Sequence, residues 1–465
     1  MAETLTPDIC VIGGGPGAAA VAMAAAAFGV PVVLVERRAD ETCGNLPALV
    51  AAARRAALTR GSAPFGVNVA SADVDFAKVR EHVRQVAAAL APNESTARLA
   101  GMGVRVIAGE GRFKDRRTFA VGDCDIRARR FVIAAAPALA PPQIPGLDPG
   151  TYFTAETIFT LAELPRQLIV IGAGPAGLEL AQAFRRLDSE VTVLGPGQPL
   201  VSEDEECAAI VLDQLEREGV VIRSGVKIAR IEHAGGGVQA ILEGIEGDDS
   251  VAATHLLVAA ENSPSFGGLN LEAAGITSGD AGIQVNEKLK TSNKRVYAIG
   301  AAIGQQRAAH HQAGLVIRSA LFRARIKTSR ETVARVTLTD PELAQVGVTE
   351  SEARRRGLAI RIARWPYHDN ARAAAERCTR GHIKIVTTAK GIVLGTTIVG
   401  AQAGEMIGAW ALAIAQRLNI SVFADLSLPP ETLAEIGNKA ALDFFAPRLT
   451  SPWVRRIIAW MRIFG

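Results

Sequence analysis

Two clusters of small residues carry the clearest chemical signal in this chain. In residues 168–179, LIVIGAGPAGLE, Gly172 allows a tight turn, Gly174 lets the backbone approach a pyrophosphate, and Gly177 allows a helix to pack closely on a strand. Residues 9–19, ICVIGGGPGAA, repeat the arrangement: Gly13 and Gly15 stand at the same places, Pro16 follows, and Ala18 takes the third position. A helix beginning at such a turn aims its free N–H groups and positive dipole end at phosphates, so each cluster suits a bound dinucleotide. Glycines also occur simply to let helices pack, but two clusters with apolar strands on both sides are hard to explain that way. An acid that accepts from a ribose hydroxyl should end the next strand, about twenty residues on. Glu36 does so in the first cluster (36 − 13 = 23), whereas the same offset from Gly172 lands on Gly195 (195 − 172 = 23). Gly195 offers no carboxylate to repel a 2′-phosphate and residues 195–201 hold no Arg to attract one, so NADH and NADPH both stay open.

The elements that must position these glycines are legible as well. Each cluster is followed, after its helix, by another apolar strand, PVVLVE at 31–36 and VTVLG at 191–195, so two βαβ units are expected. The alanine-rich stretches at 18–27 and 48–57 sit inside helical patterns and are not linkers. A length of 465 residues points to two or three domains, and 49% hydrophobic with 21% charged residues describes a globular chain with a large core. A net charge of +4, with no basic block interleaved with aromatics, gives no reason to expect a nucleic-acid partner. Residues 1–8 lack a basic region before the apolar strand, so no secretory signal is read there. The five cysteines, at 10, 43, 124, 207 and 378, form no Cys-x-x-Cys and no metal-type spacing with the seven histidines. A reducing cytoplasm and no metal centre are expected. Cys10, within the first apolar strand, reads as a small core residue.

The two glycine motifs, with RRFVIAAAPALAPPQIPGL at 129–147, VYAIGAAIG at 296–304, VTLTDPELAQVGVTESEARRRG at 336–357 and GTTIVGAQAGEMI at 395–407, make the whole chain resemble the pyridine nucleotide-disulfide oxidoreductases, in the branch of lipoamide dehydrogenase and mercuric reductase. The fold class this implies is α/β, with two Rossmann-like dinucleotide-binding domains and an α+β carboxy-terminal dimerisation domain. It implies an FAD domain over 1–150 and 265–330, an NAD(P) domain over 151–264, an interface domain over 335–450, and a homodimer. The positions it assigns to cofactor binding are Gly13, Gly15, Pro16, Ala18, Glu36, Arg37, Thr42, Gly111, Ala136, Gly300 and Ala301 for FAD, and Gly172, Gly174, Gly177 and Gly195 for NADH or NADPH.

The resemblance also exposes departures at the reacting centre. The family carries two cysteines five apart after the first unit, and here residues 36–54 hold only Cys43, so no disulfide can form within that loop. A family Lys that pairs with the Glu after the second glycine motif is replaced by Pro47, although Glu179 remains at the Glu place. The His-x-His-Pro motif is replaced by DLSLPPETLAEIGNKAA at 425–441, with Leu428 ahead of the proline. Ala301 stands where an Asp meets the ribityl chain, and the two Ala-Thr-Gly turns read Ala134-Ala135-Ala136 and Ala259-Ala260-Glu261. Cys43 supports two readings: a lone redox thiol, since Cys-Gly-Asn-Leu-Pro resembles the motif of single-cysteine coenzyme A-disulfide reductases, or a remnant thiol, which the one-residue insertion favours. His310 and His311 fall where relatives start a helix beside the flavin. Either could donate to the ring or a quinone, and the plainer reading is a surface pair.

The tail is a separate signal. In residues 451–465, SPWVRRIIAWMRIFG, helical spacing puts Trp453, Ile457, Trp460 and Phe464 on one face with Arg455 and Arg462 opposite. Such a helix fits peripheral contact with the inner face of a membrane, or packing on a dimer partner, and is too short to span a bilayer. The expectation is a flavin-dependent NAD(P)H oxidoreductase that passes electrons to a non-disulfide acceptor such as a quinone or oxygen. The alternatives are a non-catalytic or membrane-associated partner subunit on the same scaffold, and a Cys43 thiol/disulfide reductase.

Overall fold

The computed structural model describes the 465-residue chain except residues 1–2, 37–44, 136–137, 140–141, 244–248, 260–263, 280–281, 306–307, 327, 329, 450–451 and 464–465. Its first unit grows from the run Ile9–Ile12, whose four residues are all buried and hold the centre of a sheet. The chain turns at Gly13, enters the helix Pro16–Ala27 with its proline in the first turn, and returns through Val32–Glu36. Proline is tolerated there because the first-turn N–H has no helical partner to lose. The two strands pair in parallel, Ile9 with Val32 and Ile12 with Val35. The five strands of this sheet run in the order Val296–Ala298, Arg130–Ile133, Ile9–Ile12, Val32–Glu36, Arg105–Ala108, all parallel.

The second unit repeats that plan. Gln167–Ile171 leads to the helix Pro175–Arg186 and back through Glu190–Gly195, within an all-parallel order of Phe153–Thr154, His255–Val258, Gln167–Ile171, Glu190–Gly195, Val220–Ser224. Each unit also inserts an antiparallel meander before the strand that returns beside the central one. In the first it is Gly111–Phe113, Phe119–Val121 and Cys124–Ile126, and in the second Ile228–Ala234, Gly237–Leu242 and Asp249–Ala253. Both faces of each sheet are covered, so the central strands read as continuous apolar runs.

The remainder is a five-stranded antiparallel sheet in the order Arg335–Thr337, Glu342–Gly347, Val393–Gly400, His382–Thr388, Ile360–Pro366. The helices Ala403–Ala415 and Glu435–Leu449 pack on it around Ile383, Ile385, Ile398, Trp410 and Ile436.

A partly buried ion cluster joins this sheet to the second unit. Lys384, 5% exposed, lies 2.9 Å from Asp204, 3.0 Å from Glu206 and 2.9 Å from Glu350. Burial alone would lower its pKa, but the three carboxylates outweigh it and hold the ammonium above the usual lysine range. Burial opposes ionisation of Glu206, yet Arg364 and Lys384 pull that carboxyl down to about 2.

Candidate dinucleotide sites

The two glycine turns are built by the same hydrogen bonds. Gly13 N–H donates to Val35 O at 2.9 Å and Gly172 N–H to Leu194 O at 2.8 Å, tying each turn to the end of the following strand. Ala134 N–H donates to Ile12 O and Ala259 N–H to Ile171 O, both at 2.8 Å, so a second segment lies over each turn. Gly13 has φ +121°, and a Cβ there would lie 2.4 Å from Ala135 N. In the second unit Gly172 has φ +116°, and a Cβ on Gly177 would lie 2.1 Å from Gly172 O. These positions are closed to any side chain. Gly15, by contrast, faces open space, with nothing within 4 Å of a Cβ placed on it. No side chain caps the helix that starts after Gly15 or the one after Gly174, so the first-turn N–H groups are available to an anion.

Pro16 opens the first helix and Ala18 is fully buried beneath the turn. Glu36 ends the adjacent strand half-buried; its carboxylate accepts from Thr96 Oγ1 at 3.2 Å and lies 3.8 Å from the Cβ position of Gly14. This is where a ribose hydroxyl would meet it. Gly109 N–H donates to Glu36 O at 2.9 Å, and Gly111, two residues on, faces the Phe119 ring, 2.3 Å from its own Cβ position. Packing alone demands glycine there. Gly195 ends the matching strand of the second unit, and a Cβ there would meet Ala173 Cβ at an ordinary 3.5 Å.

A third turn converges on the first. Gly300, at φ +63°, follows Val296–Ala298, and its N–H donates to the buried Gln312 Oε1 at 2.8 Å, while Gln312 Nε2 donates to Gln305 Oε1 at 2.7 Å. A Cβ on either Gly17 or Gly300 would lie under 3 Å from Ala309 Cβ, so the first helix, this turn and the helix Ala309–Phe322 are locked together. Ala301 sits half-buried in the turn, and His310 and His311 are exposed on the first turn of the helix. The sequence offers no pointer to Gln312, because its partners Gly300 and Gln305 lie in and just after an irregular turn that no repeating pattern marks.

Glu179 has a definite partner. It is 3% exposed and its Oε1 accepts Leu338 N–H at 2.8 Å. Along the same helix face, Gln182 accepts from Asp340 N–H and donates to Asp340 O, and Arg186 binds Asp340 and Glu218 at 3.0 and 2.6 Å. Burial disfavours the charge on Arg186, but Glu218 and Asp340 raise its pKa above the usual value. Pro47 lies in the first turn of Leu46–Arg60, a helix capped by Asn45 and packed against the one that carries Glu179. Leu428 stands half-buried ahead of Pro429.

Arg37, Thr42, Cys43, Ala136 and Glu261 lie outside the described residues. Cys10, Cys124, Cys207 and Cys378 are free, and burial pushes each thiol up. Among the described residues no group of three or more His, Cys, Asp or Glu could hold a metal ion.

Residues 7–315 match the family described as pyridine nucleotide-disulphide oxidoreductase, and residues 333–441 match its dimerisation domain. The chain belongs to the pyridine nucleotide-disulphide oxidoreductases. It is 31% identical over 450 residues to a mercuric reductase of Bacillus cereus, covering 94% of this chain and 71% of that protein. It is 32% identical over 449 residues to a dihydrolipoyl dehydrogenase of Thermus scotoductus, covering 92% of this chain and 95% of that protein. The solved structure of LpdA from Mycobacterium tuberculosis superposes with a TM-score of 0.84 at 24% identity, covering 95% of this chain and 99% of that one. The HOCl-induced flavoprotein disulfide reductase RclA from Escherichia coli, as its Cu(II) complex, gives 0.81 at 24% identity, covering 94% and 99%. At that identity the likeness shows the fold.

Membership makes FAD and NAD(P) the cofactors of this member, and its two turns fit them: closed glycine positions, uncapped helix starts, open space beyond Gly15, and an acid at the end of the first strand. The second turn, with Gly195 in place of an acid, fits either nicotinamide dinucleotide.

Proposed function

We propose that this family member takes reducing equivalents from NAD(P)H and passes them to a non-disulfide acceptor, a quinone, oxygen or another small carrier. The observation that carries the reading is the single cysteine in residues 36–54: no internal disulfide can form there to relay electrons. Two further features support it. The Lys partner of Glu179 is replaced by Pro47, and Glu179 instead accepts from the backbone of Leu338. Leu428 stands in the place of the family's acid–base histidine and has no proton to move.

When bound, FAD supplies a two-electron carrier between the nicotinamide and the acceptor. The residues of this chain bind and orient. In the first unit, over 1–150 with 265–330, the turn at Gly13 and Gly15 takes the pyrophosphate, and Glu36 takes the ribose. In the second, over 151–264, Gly172, Gly174 and Gly177 shape the nicotinamide dinucleotide's turn, and Gly195 leaves room for a 2′-phosphate. Residues 335–450 form the interface of a homodimer. Reducing a quinone needs two electrons and two protons; one electron pair and one proton come from NAD(P)H, and the second proton comes from water or from an exposed group such as His310.

A visible spectrum of the purified protein, followed by anaerobic addition of NADH or NADPH, tests the reading. A yellow protein that bleaches without a long-wavelength thiolate–flavin band, then re-oxidises with a soluble quinone or air but not with lipoamide or Hg(II), is the expected result. A colourless protein would favour a non-catalytic scaffold, a reading to which Ala301, with no polar group for the ribityl chain, lends support. A thiolate band abolished by Cys43→Ser would overturn the proposal in favour of a cysteine mechanism.

A further inference from the structure

The helix Pro452–Met461 leaves the carboxy-terminal domain just after Glu435–Leu449, and the body of the protein covers little of it. Val454 and Ile457 are half-buried. Met461 continues the stripe they form, four residues after Ile457, yet it is 60% exposed, and Ile458, Trp460 and Ile463 are 51%, 63% and 75% exposed. The stripe therefore runs off the edge of the domain. Arg456 and Arg462 are exposed on the same segment, and from residue 444 onward the sequence contains four arginines and no acid. No helix among the described residues is long and apolar enough to cross a membrane.

The sequence-based face of Trp453, Ile457, Trp460 and Phe464 is thus only partly the face the fold presents. Ile457 turns toward the body, while Trp460 stays outside with Ile458 and Met461. The side chain of Trp453 and residue Phe464 lie outside the described residues.

We propose that this helix docks the protein on an anionic lipid surface, with Ile458, Trp460, Met461 and Ile463 at the headgroup boundary and Arg456 and Arg462 against lipid phosphates. Large apolar side chains beside exposed arginines are what an in-plane interfacial helix needs. Charge argues against pairing of this helix with its own copy. Symmetric pairing of the same segment would set arginines against arginines with no carboxylate between them. The proposal does not depend on the electron acceptor, and its test reads binding alone.

Co-sedimentation of the full chain with phosphatidylcholine vesicles, and with vesicles containing phosphatidylglycerol, provides the test. The full chain should pellet with the anionic vesicles and stay in solution with the neutral ones, and added salt should release it. The double variant R456E/R462E keeps the apolar side chains and should bind roughly twentyfold or more weakly. Deleting residues 451–465 should abolish pelleting without changing the oligomeric state by light scattering. Failure of the full chain to pellet with anionic vesicles, or equal pelleting of R456E/R462E, would overturn the proposal. So would a dimer that the deletion converts to monomer, which would assign the helix to a second copy.

Discussion

In the first dinucleotide unit the strand after the glycine turn ends in Glu36, whose carboxylate reaches Thr96 and stands beside Gly14; in the second the equivalent strand ends in Gly195. The turns share their closing hydrogen bonds, down to the N–H groups of Ala134 and Ala259 that close each from above, and differ at the third position, where the first accommodates Ala18 and the second admits only Gly177. What separates the units is which positions the backbone leaves free. Gly13 and Gly177 have main-chain atoms within 2.4 and 2.1 Å of a would-be Cβ, so the fold fixes them. Gly195 meets only an ordinary contact, so the fold permits a side chain that the sequence does not supply. The helices diverge in the same way. Seven residues after the first glycine of each turn stand Ala20 and Glu179. The first helix rests on Ala309 through apolar contact, and the second is strapped to Leu338 and Asp340 by Glu179, Gln182 and Arg186. One unit is held by close packing, the other by polar attachment to the carboxy-terminal domain.

The largest effects should come from breaking the two turns separately. Gly13→Ala places a Cβ against Ala135 in a left-handed conformation, which costs about 3 kcal/mol or more and should yield protein without flavin. Gly177→Ala presses on Gly172 O and should abolish reduction by NAD(P)H while the visible flavin spectrum stays. Thermal melting and the visible absorbance of both variants decide the matter. Full flavin content in Gly13→Ala, or flavin loss in Gly177→Ala, would show that the units do not carry the cofactors independently.

A smaller effect should follow from making the second unit resemble the first. Gly195→Asp meets only an ordinary contact at its Cβ and installs the missing acid, so it should favour NADH over NADPH by about tenfold or more, the worth of one hydrogen bond to a charged group plus repulsion of the 2′-phosphate. Steady-state rates with each nucleotide at low concentration give the ratio. An unchanged ratio would mean that the ribose does not lie at the end of Glu190–Gly195.

Strand, turn and helix were readable in both units because apolar runs and glycines act locally, and Glu36 was readable because its offset from Gly13 is fixed by the length of one helix and one strand. The departures at Pro47, Leu428 and Ala301 were readable only against the family pattern. What stays hidden depends on partners with no periodic spacing, most of them far apart in sequence. Glu179 looked like half of a missing ion pair, and nothing local indicated that its carboxylate would accept from Leu338, 159 residues on. Gln312 gave no signal that it would hold Gly300, nor Lys384 that it would gather Asp204, Glu206 and Glu350. Buried polar partners are selected by the assembled fold, and a single sequence shows only that polar residues occur.

The smallest expected effect concerns that last cluster and distinguishes the units by pH. His382 lies 3.4 Å from Glu206 and 3.5 Å from Cys207 Sγ, with Lys384 and Arg364 close by. Burial lowers its pKa more than Glu206 restores it, so the unfolded chain takes up the proton first. Stability attached to the neutral imidazole is therefore present above the ordinary histidine value of 6.5 and is lost as pH falls below it. Glu206 and Glu350 act in a lower window. Their depressed pKa values give stability that persists above the ordinary 4.5 and disappears as the pH falls further, toward about 2 for Glu206. Melting temperature should decline in two stages on acidification, the first below the ordinary histidine value of 6.5 and the second below the ordinary glutamate value of 4.5. His382→Gln should shrink the first stage, leaving the share of His255, whose pKa burial also lowers, and should keep the second. Because the cluster joins only the second unit to the carboxy-terminal domain, flavin absorbance should not change through the first stage, and flavin release between pH 7 and 5 would show that the first unit shares the same ionic control.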